Sequence, residues 1–210
     1  MEILELCNNA LDLVGQGTHI EDMQENSKEA DLCRRNLDPV IKRALDKFNF
    51  SFVRKDEVIT EDSEIDVVCI PYEHAYSLPS DLQRVLFLSD INDDSSSESI
   101  HTEKIKYNFR LINGEKVLVT DYQAPFVIHY QSKDYELDLL PDTFVEAVEF
   151  LLASKLAIAL IHGTTGLQIS QQLLQTGNMY LQMSAGQDAQ QGSNGIDIDK
   201  EKPSFIQARE

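Results

Sequence analysis

The sequence predicts an α+β fold in which a bundle of about four helices carries an antiparallel, β-rich insertion. Apolar residues recur at helical spacing near both ends of the 210-residue chain. The middle instead contains short segments rich in β-branched and aromatic residues. This order predicts a discontinuous helical domain, residues 1–50 and 139–186, around a β-rich domain, residues 51–138. A flexible C-terminal tail, residues 187–210, is expected to follow, because it contains little that a core could bury.

Two helices are predicted before the insertion. The first is amphipathic over residues 2–14 and ends at Gly15. Ser27 is a suitable N-cap for the second helix, because its hydroxyl can accept a hydrogen bond from a backbone N–H of the first turn. Pro39 lies inside this second helix. We expect a kink or a break there, because proline lacks an N–H group and its ring clashes with the preceding turn.

The insertion contains one strong hairpin signal, Asn113-Gly114, which supplies the two positive-φ residues of a type I′ turn. If the helices at the two ends of the chain pack together, the ends of the insertion, near Phe52 and Asp134, lie close in space. The predicted strands are SFVRKDEVI, VVCIPY, RVLFLS, KIKYNFRLI, KVLVTDY and FVIHYQ.

The most apolar stretch is FVEAVEFLLASKLAIALIHG, residues 144–163. It is not a membrane span, because Glu149 and Lys155 interrupt it and a spanning helix needs about 20 predominantly apolar residues. We expect a helix that opens at Pro141 or Asp142 and is buried on most of its faces. A last helix, residues 165–185, is predicted to have a glutamine-rich face and an apolar side. Its apolar side is formed by Leu167, Leu173, Leu174, Tyr180 and Leu181.

Charge and cysteine content limit the classes of function. A net charge of -18 argues against binding of duplex DNA through phosphate contacts, which require clustered lysine and arginine. Cys7, Cys33 and Cys69 form no CxxC pair, so buried free thiols in a reducing compartment are expected. The first residues, MEILELCNNA, carry acids where a signal peptide carries basic residues, which indicates a protein made in the cytoplasm.

No pattern in the sequence indicates catalysis, so we predict no catalytic, cofactor-binding or metal-binding residue, no cofactor and no enzyme. Phosphate-binding loops, dinucleotide fingerprints and nucleophile elbows are missing. The five histidines fall in five different segments. Of these, His129 lies in a strand pattern and is interpreted as a satisfied side chain. The acidic stretches, residues 61–64 and 90–94, are interpreted as solvated loops, because they lack the glycine of a calcium loop.

Four stretches, taken in order, resemble the head-to-tail adaptor family of short-tailed bacteriophages, also called tail tubular protein A. The resemblance covers roughly residues 1–185. The family often carries tryptophan where this chain has Phe48 or Phe50, and this chain has none. The four stretches are ALDLVGQGTHIEDM, SKEADLCRRNLDPVIKRALDKFNFSFVRK, YSLPSDLQRVLFL and LLPDTFVEAVEFLLASKLA.

The resemblance implies a structural protein of the virion, located at the head-tail junction. Such adaptors form a dodecameric ring beneath the portal protein and support the tail nozzle proteins, and DNA passes through the ring without specific binding. A negative channel would let DNA slide rather than stick. Two other hypotheses remain open. One is another phage connector ring, such as a stopper or a nozzle component. The other is a small monomeric cytoplasmic enzyme or regulator.

Two segments are predicted to form contacts in the assembly. The apolar helix is expected to pack partly in its own subunit and partly against surrounding helices, including a neighbour, through Phe144, Ala147, Leu151, Ala153, Leu156, Ala157 and Leu160. The tail is expected to dock on the portal by adding a strand to an exposed edge. A frayed terminus is the alternative. The predicted docking residues are Ile196, Ile198, Pro203, Phe205 and Ile206.

Overall fold

The computed structural model describes residues 2–15, 17, 19–60, 71–91, 105–112 and 114–192. Four helices and two antiparallel sheets confirm the predicted α+β class. The helices are α1 (Ile3–Val14), α2 (Lys28–Leu45), α3 (Asp142–Leu160) and α4 (Thr164–Gly192). The strands are β1 (Arg54–Ile59), β2 (His74–Ser77), β3 (Leu82–Asp90), β4 (Asn108–Ile112), β5 (Glu115–Thr120) and β6 (Phe126–Ser132).

The chain divides into two compact units. The helical unit contains the residues up to Ser51 and those from Leu137 onward, and the β unit is Phe52–Glu136. The first and last strands of the β unit, β1 and β6, are antiparallel neighbours, with Arg54 opposite Gln131. The two ends of the insertion are therefore close in space, as predicted, so the helical unit can continue across the insertion.

The core of the helical unit is built around α3, which contacts α1, α2 and α4. Phe144 in its first turn is fully buried. The Phe144 ring packs edge-on against Phe50, with ring centroids 5.1 Å apart, and Phe50 packs in the same way against Phe48. Among the described helices, none is long and apolar enough to cross a membrane. Cys7 and Cys33 are buried free thiols, as predicted, and Cys69 lies outside the described residues.

A kink or a break was expected at Pro39, and no break occurs: α2 continues from Lys28 to Leu45. Pro39 lies on the exposed side of the helix, where water can hydrogen-bond the carbonyl that the missing N–H leaves unpaired. The other predicted feature of α2 is confirmed: Ser27 is its N-cap, and the Ser27 hydroxyl accepts a hydrogen bond from the N–H of Ala30 at 3.2 Å. The solvent-facing position of Pro39 therefore lowers the cost of the missing hydrogen bond.

The β unit contains two three-stranded sheets, ordered β1-β6-β3 and β2-β5-β4. Side chains from both sheets share one apolar core, whose buried members are Tyr76, Val85, Leu88, Leu118, Phe126, Ile128 and Tyr130. The predicted hairpin joins β4 to β5, with Ile112 opposite Glu115 and Gly114 at a φ of 87°. Glycine suits this position because it adopts positive φ without strain.

Several elements differ from those predicted. Residues 51–53 form a 3₁₀ helix rather than the start of a strand, and β2 occupies a stretch for which no strand was predicted. At the C-terminal end, α4 continues to Gly192, so residues 187–192 are helical rather than part of a flexible tail. Tertiary hydrogen bonds hold this extension. Asp188 accepts from the backbone N–H of Ser51 at 2.8 Å, and Thr143 Oγ1 donates to Gln187 Oε1 at 2.9 Å.

Candidate functional site

Most of the α3 residues that were predicted to contact a neighbouring subunit are buried in the core of their own chain. Of its seven predicted residues, six are buried within one chain, and Leu160 alone is half-buried. On α3 the large apolar side chain that faces solvent is that of Ile158. The buried six are Phe144, Ala147, Leu151, Ala153, Leu156 and Ala157. Their burial stabilises the subunit and leaves little of α3 for a neighbour.

The helices α3 and α4 approach closely because glycines lie where they meet. A Cβ added at Gly177 would lie 2.9 Å from Cγ of Leu151 and 3.1 Å from the Leu151 backbone nitrogen. A Cβ at Gly166 would lie 2.2 Å from the carbonyl oxygen of Ile161. Real Cβ atoms essentially never lie within 3.0 Å of another heavy atom, so an alanine at either position would force its neighbours to shift. The stacked rings of Phe150 and Tyr180, 5.3 Å apart, extend the same contact.

The side of α4 that faces away from α3 has no charge along most of its length. No charged residue occurs from residue 164 to residue 187, although the chain carries a net charge of -18. Leu174 and Met179 are 42% and 53% exposed, and Leu167 and Met183 are also exposed. We call these four side chains, together with the groove beside them, the α4 outer surface. The groove is open, has a volume of about 600 Å³, and is lined by Gln171, Leu174, Gln175, Thr176, Asn178, Met179 and Gln182.

The sequence pattern correctly predicted a glutamine-rich face on α4, but it assigned two exposed residues to the apolar, core-facing side. Leu181 is buried, and Leu173 and Tyr180 are half-buried, as a core-facing side requires. Leu167 and Leu174 were predicted on the same side but are exposed. The helix α4 packs chiefly on α3, which covers only part of its circumference. Some of its apolar side chains therefore remain exposed to solvent.

A second constellation ties together the strands of the β unit around Asp81. The side chain of Asp81 accepts hydrogen bonds from Lys55 Nζ at 2.5 Å, Tyr130 Oη at 2.9 Å and Ser132 Oγ at 2.8 Å. Its backbone carbonyl accepts from the N–H of Lys133 at 2.8 Å. Asp81 thus joins the turn before β3 to both β1 and β6, and its role is architectural.

The electrostatics of this cluster favour an ionised carboxylate. Partial burial of Asp81 opposes ionisation, but the hydrogen bonds from Lys55, Ser132 and Tyr130 outweigh it and lower the pKa of Asp81 to about 2. Burial, together with the bond to Asp81, raises the pKa of the Tyr130 hydroxyl. Neither group exchanges a proton near neutral pH, so the cluster is not suited to general acid-base catalysis.

A third constellation brings Ser89, His129 and Asp56 together on three adjacent strands. Nε2 of His129 lies 2.8 Å from Ser89 Oγ, and Nδ1 lies 2.6 Å from Asp56 Oδ1. The imidazole also stacks on the ring of Phe87, with centroids 4.1 Å apart. The interpretation of His129 as a satisfied side chain agrees with these bonds. Sequence spacing gave no signal for its partners, which only the strand register brings together.

The remaining predicted sites lie outside the described residues. These are the tail residues Ile196, Ile198, Pro203, Phe205 and Ile206, together with most of the acidic stretches that were interpreted as loops. Within the described ranges, no group of three or more histidine, cysteine, aspartate or glutamate side chains could hold a metal ion. No protein-family model matches the chain, and no curated protein matches its sequence.

Proposed function

We propose that the protein is a structural subunit of a phage virion that forms the adaptor ring between the portal and the tail. In this role it is made in the host cytoplasm, assembles at the head-tail junction with portal and nozzle proteins, and forms part of the channel through which DNA passes. The observation that carries the proposal is the α4 outer surface, which is exposed, uncharged and partly apolar in a strongly acidic chain.

Copies of a chain with a net charge of -18 repel one another. A contact between copies is therefore favoured where charge is missing, because burying a charged side chain without a partner is costly. The α4 outer surface satisfies this condition, and burial of Leu174 and Met179 would add favourable hydrophobic transfer free energy. In a ring each subunit presents one surface to one neighbour and a different surface to the other. The α4 outer surface is proposed as one of these two.

The stretches that resemble the adaptor family act as structural anchors in this chain. Asp81 joins three segments of the β unit. Phe144 and Phe50 pack at the centre of the helical unit, and Ser27 caps α2.

The test uses DNA-filled, portal-bearing heads that lack this protein. When the purified full-length chain is mixed with them, many copies per head should co-sediment, as counted by quantitative mass spectrometry. Deletion of residues 193–210, which leaves α4 complete, should remove attachment while the circular dichroism spectrum keeps its helical signal. Replacement of Ile198 and Phe205 by aspartate should have the same effect, and Gln207→Asp is the matched control.

The two parts of the proposal fail separately. If the full-length chain does not bind the heads, the adaptor function is wrong. If the chain lacking residues 193–210 binds as well as the full-length chain, the function stands and tail docking is wrong.

A further inference from the structure

We propose that Ser89, His129 and Asp56 form a nucleophilic serine site on one face of the β1-β6-β3 sheet. This inference goes beyond the proposed structural function and does not depend on it. The site would react with small esters or phosphonates that carry a good leaving group.

Strand register places the three side chains on one face. Asp56 on β1 and Phe87 on β3 are both directly opposite His129 on β6, and Ser89 lies two residues beyond Phe87. Residues two apart on a strand share a face. The neighbours of His129, Ile128 and Tyr130, belong to the apolar core, so His129 faces away from that core. Three paired strands, rather than a loop, therefore fix the constellation.

The hydrogen bonds set the proton positions that a nucleophilic serine needs. The carboxylate of Asp56 can only accept, so Nδ1 of a neutral His129 carries the proton and donates it at 2.6 Å. Nε2 is then the acceptor, and Ser89 Oγ donates to it at 2.8 Å. Stacking on Phe87 holds the imidazole plane. Ser89 as nucleophile, His129 as base and Asp56 as orienting carboxylate are thus hydrogen-bonded to one another as in the triad of a serine hydrolase.

Reagents can reach the site, and apolar surface lies beside it. The side chain of His129 is 18% exposed, and Ser89 is half-buried. Val58 and Val127 are opposite each other on the same face, and Val127 is also opposite Ser89. Val58 is 46% exposed. The two valines offer a contact for a short alkyl or acyl group next to the nucleophile.

The reaction with an alkyl fluorophosphonate has a defined course. Ser89 Oγ forms a bond to phosphorus, and its proton passes to Nε2 of His129. The phosphorus-fluorine bond breaks, and fluoride leaves with the bonding electrons. The His129 imidazolium then returns its proton to water. Because an open sheet face gives little enclosure to a transition state, we expect stoichiometric labelling of Ser89 rather than rapid turnover.

The folded full-length protein is incubated with the fluorophosphonate, and the modified peptide is identified by mass spectrometry. One label is expected, at Ser89, and it should be lost in Ser89→Ala. Asp56→Asn should slow labelling by about 100-fold or more, because the asparagine amide donates to Nδ1 and reverses the tautomer, which removes the general base. Ser77→Ala, which changes an exposed serine on β2 of the other sheet, is the control and should label like the wild type.

Two results would overturn the inference. One is the absence of label at Ser89 in the folded wild-type protein. The other is labelling of Ser89 at an unchanged rate in Asp56→Asn, which would show an ordinary serine. If Asp56→Asn fails to fold, the wild type decides on its own. Release of p-nitrophenol from p-nitrophenyl acetate above the rate seen with Ser89→Ala must then be lost after fluorophosphonate treatment, and an unchanged excess contradicts the proposal.

Discussion

The helical unit and the β unit are stabilised by different chemistry. Around α3 the helical unit depends on apolar side chains and on glycines that let α4 approach, so it is sensitive to side-chain volume. The β unit has an aromatic core as well, but its strands are also linked by the carboxylate of Asp81, so it is sensitive to charge. The strands of the β unit therefore depend on an ionised group in addition to packing.

Polar links within the helical unit lie mainly at its periphery. Asn9 Nδ2 donates to Glu149 Oε1 at 2.7 Å between α1 and α3, where Glu149 is half-buried. Burial of Glu149 raises the pKa of this carboxyl, with repulsion from Glu146 and Glu5 as a further cause and the Asn9 bond as an opposing one. The ionised form of Glu149 is therefore disfavoured in the fold, which is the reverse of Asp81.

The largest effect is expected for Asp81→Asn in the β unit. Loss of the charge-assisted bonds from Lys55, Tyr130 and Ser132 should destabilise this unit by about 1–3 kcal/mol at pH 7. The pKa of Asp81 is about 2 in the fold, against an ordinary value of 3.8. Its ionised form therefore stabilises the fold fully above pH about 4, and this contribution is lost as pH falls through about 2. Hydrogen exchange of β6 amides at several pH values measures both effects.

Asp31→Asn in the helical unit is the matched control for Asp81→Asn. Asp31 is an exposed residue that pairs with Arg34 and Arg35 at 3.7 Å and 3.4 Å. Exposed pairs contribute little, so a change of about 0.5 kcal/mol or less is expected. If Asp81→Asn leaves β6 protection unchanged, or lowers protection equally in both units, the contrast between the units is wrong.

A smaller effect is expected for Gly177→Ala in the helical unit. The new methyl group would meet Leu151, including its backbone nitrogen, and overpacking of this kind costs about 1–3 kcal/mol. Alanine recovers about 1 kcal/mol of helix propensity, so a net loss of about 1 kcal/mol in the free energy of unfolding is expected. The measurement is urea unfolding followed by circular dichroism at the helical signal.

Comparison of Gly186→Ala with Gly177→Ala on the same helix separates the cost of overpacking against α3 from the gain in helix propensity. A Cβ at Gly186 has no heavy atom within 4 Å, so only the propensity gain remains, and stabilisation by about 0.5–1 kcal/mol is expected. Opposite signs for the two alanines would confirm close approach of α3 and α4. Stabilisation by both would show that the helices do not meet at Gly177.

Periodicity and turn chemistry were sufficient to predict most of the fold. The spacing of apolar residues predicted α1 and α3, and the Asn113-Gly114 pair predicted the β4–β5 hairpin. The continuation of α2 through Pro39 depends on which side of the helix faces solvent. The extension of α4 to Gly192 depends on bonds from Ser51 and Thr143. Such tertiary contacts leave no trace in a local pattern.

The candidate sites were less predictable than the fold. The apolar stretch of α3 was predicted to contact a neighbouring subunit, but its side chains are mostly buried in the core of their own chain. Leu174 on α4 is exposed because α3 covers only part of that helix. Ser89, His129 and Asp56 are far apart in the sequence and meet only through strand register.

The proposed ring requires that copies of this chain meet through the α4 outer surface. The most direct measurement is the number of copies bound per portal-bearing head for Met179→Glu, with Val58→Glu in the β unit as a control of similar exposure. We expect the wild type and Val58→Glu to bind in the same high copy number, and Met179→Glu to bind singly or not at all. An equal copy number for Met179→Glu and the wild type would contradict it.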